Sequence, residues 1–189
     1  MRVMIVDDDA QRLDMLESAL RDVGHTVVAR HHTAEDLVAA AQQARPEIVL
    51  IDVDSPGRDT LESLAQINRD DPMPVVLFAA KSDVESIRRA MRAGVCAYVV
   101  DGLSASRLQG VMEVAIARFA EHQALRRELD EAKSRLNDRR DIDRAKGVLM
   151  ARRGLTEEQA YEQLRKAAMN RSLKIGDAAR AVIAAADLL

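Results

Sequence analysis

V-M-I-V-D-D-D, residues Val3 to Asp9, decides the fold: four apolar residues in a row stop abruptly at three carboxylates. A run that short and apolar at every position suits a strand buried on both faces. The acids then mark its C-terminal end. Four more runs of the same kind follow, T-V-V-A (Thr26 to Ala29), I-V-L-I (Ile48 to Ile51), V-V-L-F (Val75 to Phe78) and A-Y-V-V (Ala97 to Val100). Between them, Leu13, Leu16 and Leu20, then Leu61, Leu64 and Ile67, recur at helical steps, and Gly24, Pro46, Pro72, Pro74 and Gly94 punctuate the connections. Strand then helix, five times over, predicts a doubly wound α/β layer on a five-stranded parallel sheet. In such sheets ligands bind beyond the carboxyl ends of the strands.

The rest of the chain has no strand signal and predicts an all-α region. From about Leu103 to Leu136 one long helical pattern runs without Pro. Leu125, Leu129, Ala132 and Leu136 follow 4-3-4 spacing, a coiled-coil seam of about two heptads. Pairing with a second copy and docking on its own chain both remain open for that stripe. Three shorter helices are expected after it. Ile142 to Arg153 stops at Gly154; T-E-E-Q (Thr156 to Gln159) is a capping box opening a helix with Ala160, Tyr161, Leu164, Ala167 and Ala168 on one face; a last helix presents Ala178, Ala179, Val182, Ile183 and Ala186. That spacing puts Tyr161 in the core. The expected organisation is an α/β domain over 1–118, a linker helix over 119–139, and a helical domain over 125–187 that includes the end of the linker.

The 189 residues carry a net charge of −3, which argues against a uniformly basic coat for nucleic acid. The balance is uneven: 13 basic and 19 acidic residues lie in 1–118, and 11 basic against 6 acidic lie in 135–174. An acidic front and a basic rear suggest two tasks. One cysteine, Cys96, excludes an internal disulfide and fits a reducing compartment. No apolar run approaches the ~18 residues that span a bilayer, and the N-terminus turns acidic before a signal-peptide core develops. A cytoplasmic protein that does not use a membrane is expected. Aromatic residues are 2% of the chain, with no Trp, which disfavours rows of stacked bases. No Ser/His/Asp set is apparent, and His25, His31, His32 and His122 lack metal-site spacing, so an enzyme is not expected.

Asp7 and Asp8 follow the first strand, and Asp52 and Asp54 the third. Strands one and three are neighbours in a common doubly wound order, so these carboxylates would converge in one crevice. Crowded carboxylates repel, and Mg²⁺, which prefers oxygen ligands and keeps waters, is the simplest relief. With a metal bound, Asp52 becomes a candidate nucleophile toward a phosphoryl donor.

V-D-D at Val6 to Asp8, D-V-D-S-P-G at Asp52 to Gly57 and the five-fold β/α pattern resemble a response-regulator receiver domain over about residues 1–118. The resemblance implies that Asp7 and Asp8 hold Mg²⁺ and that Asp52 is the phosphoacceptor. Two positions depart from it. Ala79, followed by Ala80, stands where receivers usually place Ser or Thr after the fourth strand; Asp101, followed by Gly102, stands where they place Lys and Pro after the fifth. The first loses a hydroxyl donor to the phosphoryl group and the second replaces an attractive charge with a repulsive one, with Lys81 the one nearby cation to substitute. At very roughly 1.5–3 kcal/mol per charge-assisted contact, most of a phosphorylation switch would be lost.

In the basic rear, A-K-G-V-L-M (Ala145 to Met150) followed by E-E-Q-A-Y-E-Q-L-R (Glu157 to Arg165) resembles the ANTAR domain of bacterial transcription antiterminators, over about 125–187. That resemblance implies binding to stem-loops in nascent mRNA leaders, which keeps a terminator hairpin from forming. Arg139, Arg140, Arg144, Lys146, Arg152, Arg153, Arg165, Lys166, Arg171 and Lys174 are the expected RNA-binding residues, since cations that neutralise phosphates supply salt-dependent affinity. Duplex DNA is disfavoured because the middle helix is apolar on one face and acidic at its start.

G-R-D-T-L-E (Gly57 to Glu62), A-Y-V-V-D-G-L (Ala97 to Leu103) and A-I-A-R-F (Ala115 to Phe119) further resemble nitrate-assimilation antiterminators of the NasT type. This implies control by a cytoplasmic nitrate-sensing protein that sequesters the regulator, with a homodimer as the active form. Two rivals stay open: a phosphorylation-controlled regulator served by a histidine kinase at Asp52, and a protein-interaction adaptor that binds no RNA.

Overall fold

The computed structural model describes residues 1–33, 36–54, 56–80, 83–100 and 105–187. The chain divides into two compact units, Met1–Gln123 and Ala124–Leu189. In the first, β1 (Arg2–Asp7), β2 (Thr26–His31), β3 (Ile48–Val53), β4 (Val75–Ala79) and β5 (Ala97–Val100) form one parallel sheet in the order β2-β1-β3-β4-β5. The connecting helices are α1 (Ala10–Asp22), α2 (Leu37–Ala44), α3 (Arg58–Asp70) and α4 (Val84–Arg92), and α5 begins at Ala105.

The apolar runs work as strands because successive side chains serve opposite faces. Met4, Val6, Val49, Ile51, Val75 and Leu77 pack with Leu37 and Ala41 of α2, Leu61, Leu64 and Ile67 of α3, and Ala90 of α4. Val3, Ile5, Ile48, Leu50, Val76 and Phe78 pack on the other side with Leu13, Leu16 and Leu20 of α1 and with Leu108, Met112 and Ala115 of α5. Asp9 caps α1, its carboxylate accepting from the backbone N–H groups of Gln11 (2.8 Å) and Arg12 (3.3 Å). That cap fixes where α1 begins relative to the end of β1, and so which side chain of its first turn overhangs the acids. Gly94, at φ +98°, ends the α4 region where a Cβ would stand 2.5 Å from the Asn68 side chain.

α5 runs unbroken from Ala105 to Arg153, 49 residues. The expected break between Leu136 and Ile142 is absent, so the first of the three short helices is the end of the long one. Past Gly110 the run contains no Pro and a single Gly, Gly147. Asn137 and Asp138 are poor helix formers but too few to stop it, and Glu131 supports the helix through Arg135 one turn on. Gly154, at φ +65°, ends it, its N–H donating to the Met150 carbonyl at 3.0 Å.

In the second unit α6 (Glu157–Asn170) and α7 (Ile175–Asp187) pack on the end of α5. Thr156 and Gln159 form the expected capping box. The core is small: Ala145 and Leu149 of α5, Ala160 and Leu164 of α6, Ala179 and Ile183 of α7. Tyr161 lies outside it, 43% exposed, which corrects its expected place in the core. The four-residue step to Arg165 and the three-residue step to Leu164 straddle the stripe edge, and Ala160 takes the inward position instead. Leu125, Leu129 and Leu136 are all more than half exposed in the single chain. Among the described residues no helix is long and apolar enough to cross a membrane.

Candidate functional site

The register of the sheet pairs Asp7 with Asp52 at the ends of β1 and β3. Both are buried, Asp7 completely, whereas Asp8 and Asp54 are exposed. The Asp7 carboxylate is occupied by a group that sequence reasoning did not single out. Arg12, in the first turn of α1, donates from Nε to both Asp7 oxygens at 3.0 Å and from Nη2 to Asp7 Oδ1 at 2.8 Å. The same Nη2 reaches Asp8 Oδ1 at 2.8 Å, and the Asp9 backbone N–H adds a further bond to Asp7 Oδ1 at 2.8 Å. The hydrogen bond to Asp7 holds the Arg12 guanidinium above its ordinary pKa, with the charges of Asp7, Asp52 and Asp8 adding to it. The signal was present in the sequence as the i, i+4 spacing from Asp8 to Arg12.

Ala79 ends β4 beside the acids, fully buried and without a donor, in register with Val53. Asp101 and Lys81, the other two positions weighed for phosphoryl contact, lie outside the described residues. Among the described residues no three His, Cys, Asp or Glu side chains gather in a way that could hold a metal. The expected metal ligands are the four carboxylates Asp7, Asp8, Asp52 and Asp54. As arranged they do not fit a divalent cation, because both oxygens of Asp7 and one of Asp8 are committed to Arg12.

The second candidate surface lies on the helical unit. Arg139, Arg140, Arg144 and Arg153 on α5, Lys166 on α6, and Arg171 and Lys174 beyond it are exposed. Arg165 is exposed too, 3.6 Å from Glu162, and Arg152 donates to the Ala186 carbonyl at the end of α7 at 2.6 Å. Lys146 differs from the rest. Its side chain is only 16% exposed and its Nζ lies 2.7 Å from both Asp143 and Glu157, so it ties α5 to the first turn of α6. Its hydrogen bonds to Asp143 and then Glu157 raise the Lys146 pKa, and in return Lys146 lowers that of Asp143. A second tie was also missed in the sequence. Arg180 on α7 bonds Asp138 and Asp141 of α5 at 2.8 and 3.0 Å, and Asp177 of its own helix at 2.6 Å. Buried Gly176 lets Asp138 approach, since a Cβ there would stand 2.6 Å from the Asp138 Cγ.

The family model of the response regulator receiver domain matches residues 3–113. It covers more than half of the chain. This chain belongs to the response regulators. The regulator also matches the ANTAR domain, an RNA-binding module, over residues 130–183. It is 34% identical to the transcriptional regulatory protein PdtaR of Mycobacterium tuberculosis over 183 residues, 96% of this chain and 89% of that one. The DNA-binding transcriptional regulator NtrC of Escherichia coli matches at 34% over 122 residues, 64% of the regulator but only 26% of NtrC. Among solved structures, the receiver domain of a modulated diguanylate cyclase from Desulfovibrio desulfuricans aligns at TM-score 0.55 and 27% identity, over 64% of the regulator and 97% of that chain. Response regulators with an ANTAR domain are regulatory proteins, and receiver domains typically bind Mg²⁺ at the phosphorylation site.

Proposed function

We propose that this response regulator is a transcription antiterminator that grips stem-loops in nascent mRNA leaders through the exposed cations of its helical unit. One observation carries the reading: the ANTAR match over 130–183 coincides with Arg139, Arg140, Arg153, Arg165, Lys166, Arg171 and Lys174 held in solvent around a small packed core. Lys146 and Arg152 brace the fold, and Arg144 adds to the exposed charge. The functional divisions are the receiver over 1–118, the linker helix over 119–139 and the RNA-binding domain over 125–187. The protein works in the cytoplasm as a homodimer, for nitrate or nitrite assimilation genes. A sequestering nitrate-sensor protein governs its availability rather than phosphorylation at Asp52. Ala79 supports that input, because the place of a phosphoryl-sensing hydroxyl is a buried methyl. A histidine kinase acting at Asp52 is the second reading, favoured by the pairing of Asp52 with Asp7 at the strand ends. It needs Mg²⁺ at Asp7, Asp8, Asp52 and Asp54, and hence a displaced Arg12.

The test is a gel shift of the full chain against a leader hairpin with six-nucleotide loops. Binding is expected to fall steeply with salt, and Arg139→Ala with Arg140→Ala to weaken it at least about tenfold without lowering the thermal midpoint. A chain that ignores the hairpin at low ionic strength is an adaptor, and the reading fails.

A further inference from the structure

We infer that Arg12 is a built-in counterion of the receiver, holding Asp7 and Asp8 in the place where a divalent cation would sit and setting this site against metal. The starting point is the burial of Asp7. A carboxylate with no exposed surface needs a charge partner, and several donors, to stay folded inside. Here the need is met wholly from within the chain. Oδ1 receives Arg12 Nε, Arg12 Nη2 and the Asp9 N–H, and Oδ2 receives Arg12 Nε. The guanidinium fork suits this task, since one planar group serves both Asp7 oxygens and still reaches Asp8.

Local structure puts it there. Asp9 caps α1, so Arg12 falls in the first turn, and side chains of a helix lean back toward its N-terminus, here toward the end of β1. A magnesium ion asks for the same oxygens with near-octahedral geometry and gives up its own waters reluctantly. To enter, it must evict a group already matched to both acids and then share the crevice with that positive charge. The Arg12 side chain is 41% exposed, so it can swing out, and the site discriminates by competition rather than by closure. The unexpected element is therefore not a missing ligand but an extra cation, and it is independent of whether the helical unit binds RNA.

Manganese, read by electron paramagnetic resonance on the full-length protein, is the probe. Wild type is expected to bind Mn²⁺ weakly, and Arg12→Gln to bind one equivalent at least about tenfold more tightly. Adding Asp7→Asn to Arg12→Gln is expected to abolish that gain. Arg12→Lys keeps a charge without the fork and decides the matter should Arg12→Gln fail to fold; it is expected to bind Mn²⁺ at least about threefold more tightly than wild type. Equal affinity in wild type and either Arg12 variant overturns the inference, and so does a gain that survives Asp7→Asn.

Discussion

Ion pairs of Lys146 and Arg180 hold the helical unit together at the level of single side chains. Lys146 carries the same charge as Arg139 and lies in the same basic stretch, yet it is spent on Asp143 and Glu157. Lys146→Met is expected to lower the thermal midpoint of the helical unit, whereas Arg139→Ala leaves it unchanged, as differential scanning calorimetry would read. The pKa directions add a pH dependence. Asp143 is lowered by its hydrogen bond to Lys146, and Asp177 by its bond to Arg180. A carboxylate lowered in the folded state contributes stability above its unfolded value, and that contribution disappears as pH falls through the folded one. Acid titration below about pH 4 should therefore loosen the helical unit, followed by circular dichroism, with a shallower acid slope in Lys146→Met. Lys146 is raised, so its share is complete below the ordinary lysine range and is lost as pH climbs beyond about 10.4. Gly176→Ala is expected to push the Asp138 side chain away from Arg180 and weaken that tie, so that a further Arg180→Ala costs less in urea unfolding than it does in the wild type. The acids at the strand ends and the cations of the rear were legible as residue types. Which cation was already taken was not, because Glu157 meets Lys146 across a turn that no short spacing encodes.

Strands were the most legible elements: each of the five apolar runs lies inside a strand, extended by at most two residues on either side. An apolar run with buried faces has little other use, so local pattern and tertiary demand agree. Helix boundaries were less so. The end of α5 at Gly154 and the start of α6 at Thr156 follow from glycine and capping-box chemistry, and Thr156→Ala should cost about 1 kcal/mol in chemical denaturation. The missing break near Asp138 shows the other side. Charged residues that look like a linker continue a helix as readily as they end one, and Asp138 and Asp141 are kept on α5 by Arg180 from α7. Middle α5 leaves Leu125, Leu129 and Leu136 exposed. If that stripe pairs two copies as proposed, Leu125→Lys with Leu129→Lys gives a monomer by light scattering without lowering the midpoint of either unit. A dimer that persists puts the interface elsewhere.

At the scale of the molecule, two units with opposite charge balance share one helix, and in the proposed reading the input acts on one while the RNA is held by the other. Labelling with a small phosphodonor separates the two inputs. Under sequestration, Asp52 labels poorly, and Asp52→Asn leaves hairpin affinity within about twofold, because Ala79 provides no hydroxyl to report a phosphoryl group. Stable labelling that tightens RNA binding by tenfold or more makes the kinase reading the correct one.

The order of apolar runs, the acids that end two of them and the glycine and capping signals of the rear were enough by themselves to set a parallel α/β sheet followed by helices. Those features act within a few residues of themselves, through side-chain alternation, backbone hydrogen bonds and allowed backbone angles. Only the folded arrangement decided that Arg12 sits on Asp7, that Lys146 and Arg180 are braces, and that Tyr161 faces solvent. Charge pairing and burial depend on distances across space, which strand register and helix packing create and which spacing along the chain does not contain.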